Sequence, residues 1–512
     1  MKLWRFVRYW LYVGHRWLGI LACALFVAWF VSGIVMTLVG YPTLDEHARR
    51  QALRPLDWSQ IAVAPNELLA ALPLDHFPRE FALEMLFDAP VYRIQEWDGS
   101  RRTISARRIQ NVPAIDATTA VRIASDYAQH SGRFVATIHH DQWTVPEGYG
   151  ALRPLHKIAI EDARGTEIYV SAATGEVALA TTRSQRFWNW LGSVPHWIYF
   201  TDLRANQPVW RQVNLWASGP AILIAISGIW IGILRLRVRG RYQHSAHAEH
   251  GKSAHSPYHG WKWWHHWLGI LGGVFLLTWI VSGWLSVNPN QWLSGGWPTT
   301  DQWLQHAGHR SLTHAANLQA LARPDVRRVS FYHVGARPLA RVSTSAGDAI
   351  VDARTGSAAT FSDAELFGSI ANVMPGHRLV ARERVTADDL FWYSHHSSRP
   401  LPVLRAVFDD PEHSWYYLDP RSGEILDFSD DGARRYRWWF NALHRWDFSV
   451  LLQHRWLWYT LIWTFASMGL ALSITGVVIG WQRVRRKVDL GWRSRKKTQK
   501  RTSMTEGEGL MK

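Results

Sequence analysis

Long uncharged stretches alternate with long mixed ones along this chain. Four stretches contain no Asp, Glu, Lys or Arg: Trp17–Val39, Gln212–Leu234, Trp267–Val287 and Trp456–Trp481. Each exceeds the ~20 residues that a helix rising ~1.5 Å per residue needs to cross ~30 Å of hydrocarbon. Mean hydropathy is only −0.16, so the apolar residues are concentrated in these four segments. Four membrane-spanning helices follow. A soluble core helix can also be uncharged, but tryptophans mark the ends of these segments, and the 32 Trp residues fit an interfacial aromatic belt.

The intervening segments read differently. Residues 116–131 have the pattern of an amphipathic helix opened by Asp116 as N-cap. Tyr169 to Val177 reads as strand, turn, strand, with Gly175 in the turn. Tyr417 to Ile425 repeats the pattern around Gly423, and Ile350 to Gly356 is a third copy. Asp or Pro starts such a turn and Gly supplies the positive φ that returns the chain to the sheet. Small α+β modules are expected, two in each long segment. The chain therefore divides into a tail and first span (1–40), a first outer region (41–210), a second span (211–236) and a loop (237–263). A third span (264–288), a second outer region (289–455), a fourth span (456–482) and a basic tail (483–512) complete it.

Charge orients this arrangement. The N-terminal tail, the 235–263 segment and the tail after Trp481 together hold 21 basic and 4 acidic residues, while the whole chain has a formal charge of +16. The rest is close to neutral. By the positive-inside rule these segments and both termini are cytoplasmic and the long regions periplasmic. Because the basic residues adjoin the spans, nucleic-acid binding is not implied. No A-x-A-like site follows the first span before Tyr41-Pro42, so it reads as retained. The single cysteine, Cys23, excludes disulfides within the chain, C-x-x-C-H haem attachment and cysteine-ligated clusters or zinc sites.

The two halves repeat. His15-Arg16-Trp17-Leu18-Gly19-Ile20-Leu21 recurs as His265-His266-Trp267-Leu268-Gly269-Ile270-Leu271, and Val31-Ser32-Gly33 as Val281-Ser282-Gly283, both at an offset of 250. Ile226-Ser227-Gly228 matches Ile474-Thr475-Gly476 at an offset of 248, and at that offset His196 falls on His444. The small Ser, Thr and Gly residues suit close helix packing in lipid. The fold class is a membrane α-helical bundle, a pseudo-twofold tandem repeat of helix, outer α+β region and helix.

In these motifs the chain resembles the PepSY-associated transmembrane family: the H-R-W-L-G opening, the Asp-Pro-x-Ser-Gly-Glu hairpin at 419–424, and the histidines preceding the even-numbered spans. It departs where relatives often carry a Gly-Arg pair; here Asn206-Gln207-Pro208 and Gln453-His454-Arg455 stand. The resemblance implies a bacterial inner-membrane protein with PepSY-like periplasmic modules, linked to iron and siderophore uptake. Some relatives are haem-containing reductases of ferric siderophores.

Two facing neutral imidazoles can ligate one haem iron. His15 and His265 hold equivalent places at the cytoplasmic ends of spans one and three, and His196 and His444 at the outer side of spans two and four. Two such pairs would make two non-covalent b-type haem groups, the alternatives being haems that hang inward from their ligands, ligands one turn away, or a single haem. A lone interfacial histidine is more often an anchor; recurrence at gap-free offsets singles out these four. His266 and His454 are second-rank substitutes without a histidine in the other half. A span of some 23 residues is ~35 Å long, which sets the two pairs far apart. The remaining clusters, His139-His140, His395-His396, and His244, His247, His250, His255 and His259, read as packed or solvated. Arg211 and Arg455 could face haem propionates or an anionic chelate.

No G-x-G-x-x-G follows a strand and no Walker A sequence occurs, so nicotinamide and ATP handling are not expected. Electrons would come from a quinol or a separate cytoplasmic donor. The expected activity is haem-dependent reduction of a periplasmic ferric siderophore or other ferric chelate. The alternative is a non-catalytic scaffold or regulator whose PepSY modules bind periplasmic peptides or an assembly partner.

Overall fold

The computed structural model describes residues 2–239, 242, 255–308, 312–395 and 399–509, with side chains described as far as residue 489. His244, His247, His250 and His396 lie outside the described residues. Four helices are long and apolar enough to cross a membrane: Lys2–Met36, Gln207–Arg235, Trp261–Ser286 and Arg455–Gly509. The two middle helices run over Gln207–Arg235 and Trp261–Ser286, and the fourth begins at Arg455. At its far end the fourth helix does not stop at 482. It runs on through the basic tail, which is rich in Arg, Lys and Gln and lacks proline, so helix propensity carries it forward.

The first and third helices stand diagonally across the bundle, each packed against the second and fourth. Phe26, Phe30, Ile224, Leu276, Ile280 and Ala466 fill the middle. Large apolar side chains such as Leu21, Trp216, Leu223, Trp230 and Leu271 point outward, as lipid-facing positions require.

Among the described residues, fourteen strands lie in the two long connections. The first connection holds β1 (Glu80–Leu86), β2 (Ala89–Gln95), β3 (Arg101–Ser105), β4 (Gly132–Ile138), β5 (Leu155–Ile160), β6 (Glu167–Ser171) and β7 (Val177–Thr181). The second holds β8 (Val326–Val334), β9 (Arg337–Thr344), β10 (Gly347–Asp352), β11 (Leu379–Val385), β12 (Val403–Phe408), β13 (Trp415–Leu418) and β14 (Ile425–Ser429). Strands β4–β7 form one four-stranded sheet and β11–β14 another. Each carries a helix: Ala117–Ala128, capped by Asp116 at Thr119 N, and Asp363–Ala371, capped by Ser362. Gly175, Gly356 and Gly423 all take the expected positive φ, between 69° and 73°. The third copy of the hairpin does not return as a strand, however; after β10 only Val351 and Ala358 form a bridge.

The expectation of two separate modules per connection also needs correction. The remaining strands merge into one sheet, ordered β10-β9-β8-β1-β2-β3. The join is β1 against β8, with Leu83 opposite Val329 and Glu84 opposite Arg328. Phe81, Leu83, Tyr92, Val329, Phe331 and Val342 share one core beneath it. Neither half could bury that face alone, so the two connections are bound together on one side of the bundle. Glu84 sits at the seam with 1 % of its side chain exposed, between Arg328, Arg93 (Nε at 2.8 Å) and Arg49. Burial alone would raise its carboxyl; Arg328, Arg93 and Arg49 override burial and hold it down at about 2.

Candidate functional site

Four histidines meet in two pairs inside this frame. His15 on the first helix faces His265 on the third, with ring centres 6.4 Å apart. His196 and His444 face each other with ring centres 6.0 Å apart. His196 ends the one-turn helix Ser193–His196. That turn is held by Asn189, whose Nδ2 donates to Gly40 O at 3.0 Å and whose Oδ1 accepts from Ser193 Oγ at 2.6 Å. His444 lies in the short helix Leu443–Arg445, which follows a π-helical turn at Arg437–Ala442. Trp279 Nε1 donates to the His444 carbonyl at 2.9 Å. Such π turns are uncommon and concentrate at functional sites.

The same cradle holds every ring. His15 Nδ1 is 3.1 Å from Ser227 Oγ and His265 Nδ1 is 2.9 Å from Thr475 Oγ1. His196 Nδ1 is 3.0 Å from Ser32 Oγ and His444 Nδ1 is 3.1 Å from Ser282 Oγ. Each hydroxyl donates its own proton to a carbonyl one turn back: Ser227 to Ile224, Thr475 to Leu472, Ser32 to Trp29, and Ser282 to Thr278 at 2.6 Å, with Trp279 at 3.1 Å. Its lone pair is therefore what faces the imidazole, and Nδ1 must be the protonated nitrogen. At His15, His196 and His444 a backbone carbonyl 3.1–3.2 Å from Nδ1 enforces the same tautomer. Nε2 is left with an open lone pair on all four rings, and it takes no hydrogen bond among the described residues.

A glycine follows each hydroxyl and makes room for the ring. A Cβ added at Gly228 would come within 2.8 Å of His15 Cε1. At Gly33 and Gly283 it would lie 3.4 Å from His196 and His444, and at Gly476 3.6 Å from His265. The hydroxyl-glycine pairs that suggested helix packing in the sequence are thus histidine cradles, one on each long helix.

His266 and His454 are placed otherwise. His266 engages both ring nitrogens, Nδ1 with Ser256 Oγ at 2.8 Å and Nε2 with Gly232 O at 3.0 Å. His454 is exposed and bonds Val450 O. Arg211 reaches the carbonyls of Val287 and Asn288 at the end of the third helix. Arg455 meets His395. His139 and His140 are exposed on the first connection.

The sequence matches the family described as PepSY-associated TM region over residues 12–353 and again over 262–505. The chain belongs to the PepSY-associated transmembrane family. No curated protein matches it. The first match includes His15, His196 and His265, and the second includes His265 and His444. This is a membrane protein, with its four apolar helices in contact with lipid.

Chemically, this family member presents two sites of two neutral imidazoles each. Two axial imidazoles on one metal put their ring centres about 6 Å apart, given metal–nitrogen bonds of about 2 Å and about 1 Å from nitrogen to ring centre. Both pairs meet that condition. No group of three or more His, Cys, Asp or Glu that could hold a metal ion converges among the described residues. Burial pushes His196 down to about 4; burial, then the neighbouring His196, pushes His444 down to about 3. Both therefore stay neutral and able to ligate across the physiological pH range. The pairs are closer than the full span suggested. His196 meets the first helix at Ser32, seventeen residues from His15, or about 25 Å along the axis.

Proposed function

We propose that this protein is a b-type haem electron carrier of the bacterial inner membrane that reduces ferric iron outside the cell membrane. One haem would be held by His15 and His265, the other by His196 and His444. The observation that carries the reading is the shared tautomer: four Nδ1–H groups tied to hydroxyl-glycine cradles, with Nε2 unbonded on rings whose centres lie 6.4 and 6.0 Å apart. Such outer hydrogen bonds orient a ligating imidazole and raise its basicity. Haem supplies one-electron chemistry when bound. The four histidines would hold the haems, their cradles would orient the rings, and the apolar interior around Phe26, Phe30 and Ile280 would exclude water.

The concentration of basic residues in the tails and the central loop supports a topology with both termini in the cytoplasm and the sheets in the periplasm. The matched contacts at offsets of 250 and 248 support a tandem repeat with a pseudo-twofold axis. A quinol or a separate cytoplasmic protein would donate electrons, and the acceptor would be a ferric siderophore or a similar oxygen-ligated ferric chelate. Reduction loosens such a complex because Fe(II) fits hard oxygen donors less well.

Vesicles containing the purified protein, loaded with a quinol reductant and given a ferric trihydroxamate outside, test the activity. Ferrous iron trapped outside should appear well above the rate of protein-free vesicles and return to that rate in His196→Ala. A rate equal to protein-free vesicles would leave the protein a scaffold for periplasmic partners.

A further inference from the structure

A buried polar cluster lies beside the outer histidine pair, and only one half of the chain has it. Asp447, three residues after His444, is completely buried. Its carboxylate accepts from Tyr393 OH and from His395 Nε2, each at 2.6 Å. Arg445 Nε lies 3.5 Å away, and Arg437 donates to the Asp447 carbonyl. Arg455 Nη1 is 2.5 Å from His395 Nδ1. An arginine can only donate, so Nδ1 is the acceptor and the ring proton of His395 sits on Nε2, between imidazole and carboxylate. These contacts bring together a loop of the second connection, the π turn, the His444 helix and the start of the fourth long helix.

The cluster is physically joined to the histidine pair. Trp446 stacks on Trp279 at 5.5 Å and 18°, and Trp279 bonds the His444 carbonyl. At the 248 offset the first half has Val145, Glu147, Asn189, Trp197, Tyr199 and Gln207 in place of Tyr393, His395, Arg437, Arg445, Asp447 and Arg455. Its corresponding tie is a neutral amide, Gln142, bonding Tyr199 O and Thr201. The charged cluster is thus not a requirement of the repeated architecture.

We infer that Tyr393, Asp447 and His395 form a proton-uptake site linked to electron arrival at the His196/His444 pair. The inference rests on the haem reading above. Arg445 lies beside the Asp447 carboxylate, Arg437 bonds the Asp447 backbone carbonyl and Arg455 bonds His395, so the cluster sits in a positive field. An added electron nearby offsets part of that positive field, and the low dielectric of the buried cluster transmits the change. One proton then moves from periplasmic water onto the Asp447 carboxylate for each electron received, forming one O–H bond. When the electron passes to the ferric chelate, that proton leaves to a liberated chelate oxygen or to water. The site so favours acceptors that gain a proton as they gain an electron.

Spectroelectrochemical titration of the purified protein from pH 5.5 to 8.5 tests this. The outer haem, identified by its loss in His444→Ala, should fall in potential by up to about 59 mV per pH unit, the equivalent of tenfold per unit for one electron. The inner haem should show no such slope. Asp447→Asn should abolish the slope, and Tyr393→Phe and His395→Gln, which keep the packing, should flatten it. A pH-independent outer potential in the wild type, or an unchanged slope in the variants, would overturn the inference with the haem reading intact. Absence of any b-type absorption would overturn the haem reading itself.

Discussion

His444→Ala should reduce the haem content from two to one per chain, and Gly228→Leu should remove the other one. The two substitutions act at opposite ends of the bundle and by different means. Loss of the His444 imidazole deletes one axial nitrogen and leaves His196 facing a gap. Its own cradle at Ser32 is untouched, as is the His15/His265 pair. Gly228→Leu deletes no ligand. It places a branched side chain where even a Cβ comes within 2.8 Å of His15 Cε1, so the ring must leave Ser227 and turn Nε2 out of line. Pyridine haemochrome quantitation against protein concentration measures both. His196→Ala should match His444→Ala, and a variant of either histidine that retains both haems would refute that pairing.

Glu84→Ala should be the most damaging substitution outside the helices. It strips the one carboxylate that Arg49, Arg93 and Arg328 share at the seam of the six-stranded sheet, leaving Arg328 with Glu80 and Arg49 with Glu46. Breaking a buried ion pair by removing one partner costs about 3–5 kcal/mol, because the surviving charge stays buried and uncompensated. The seam is also where the two connections join, so β8–β10 should separate from β1–β3 and become open to protease. Limited proteolysis and thermal unfolding in detergent read this, with the haem spectrum retained. The same contact predicts an acid limit. The folded carboxyl titrates near 2, below its ordinary value of 4.5. Its contribution is complete above 4.5 and disappears as pH falls through about 2.

Much of this was legible in the sequence, because it is written in local patterns. Uncharged stretches located the helices, and gap-free offsets picked His15, His265, His196 and His444 out of 25 histidines. The cradles were visible as Ser32-Gly33, Ser227-Gly228, Ser282-Gly283 and Thr475-Gly476, yet they were read as helix packing. A hydroxyl beside a glycine looks the same whether it receives a helix or a ring. Its recurrence once per span, always opposite a histidine, was the signal that could have separated the two. The seam between β1 and β8 had no such signal, since Glu84 and Arg328 are far apart in the chain and alternate like any edge pair. The Asp447 cluster was hidden for the same reason: Tyr393 and His395, Arg437, and Arg455 approach it from three different elements.

The most direct test of the two-haem arrangement is a dithionite-reduced minus oxidised spectrum of the purified wild-type chain, with haem quantified on the same sample. Two non-covalent b-type haems per chain, both reducible, is the predicted result. A colourless protein, or one whose haem survives removal of all four histidines, would contradict it.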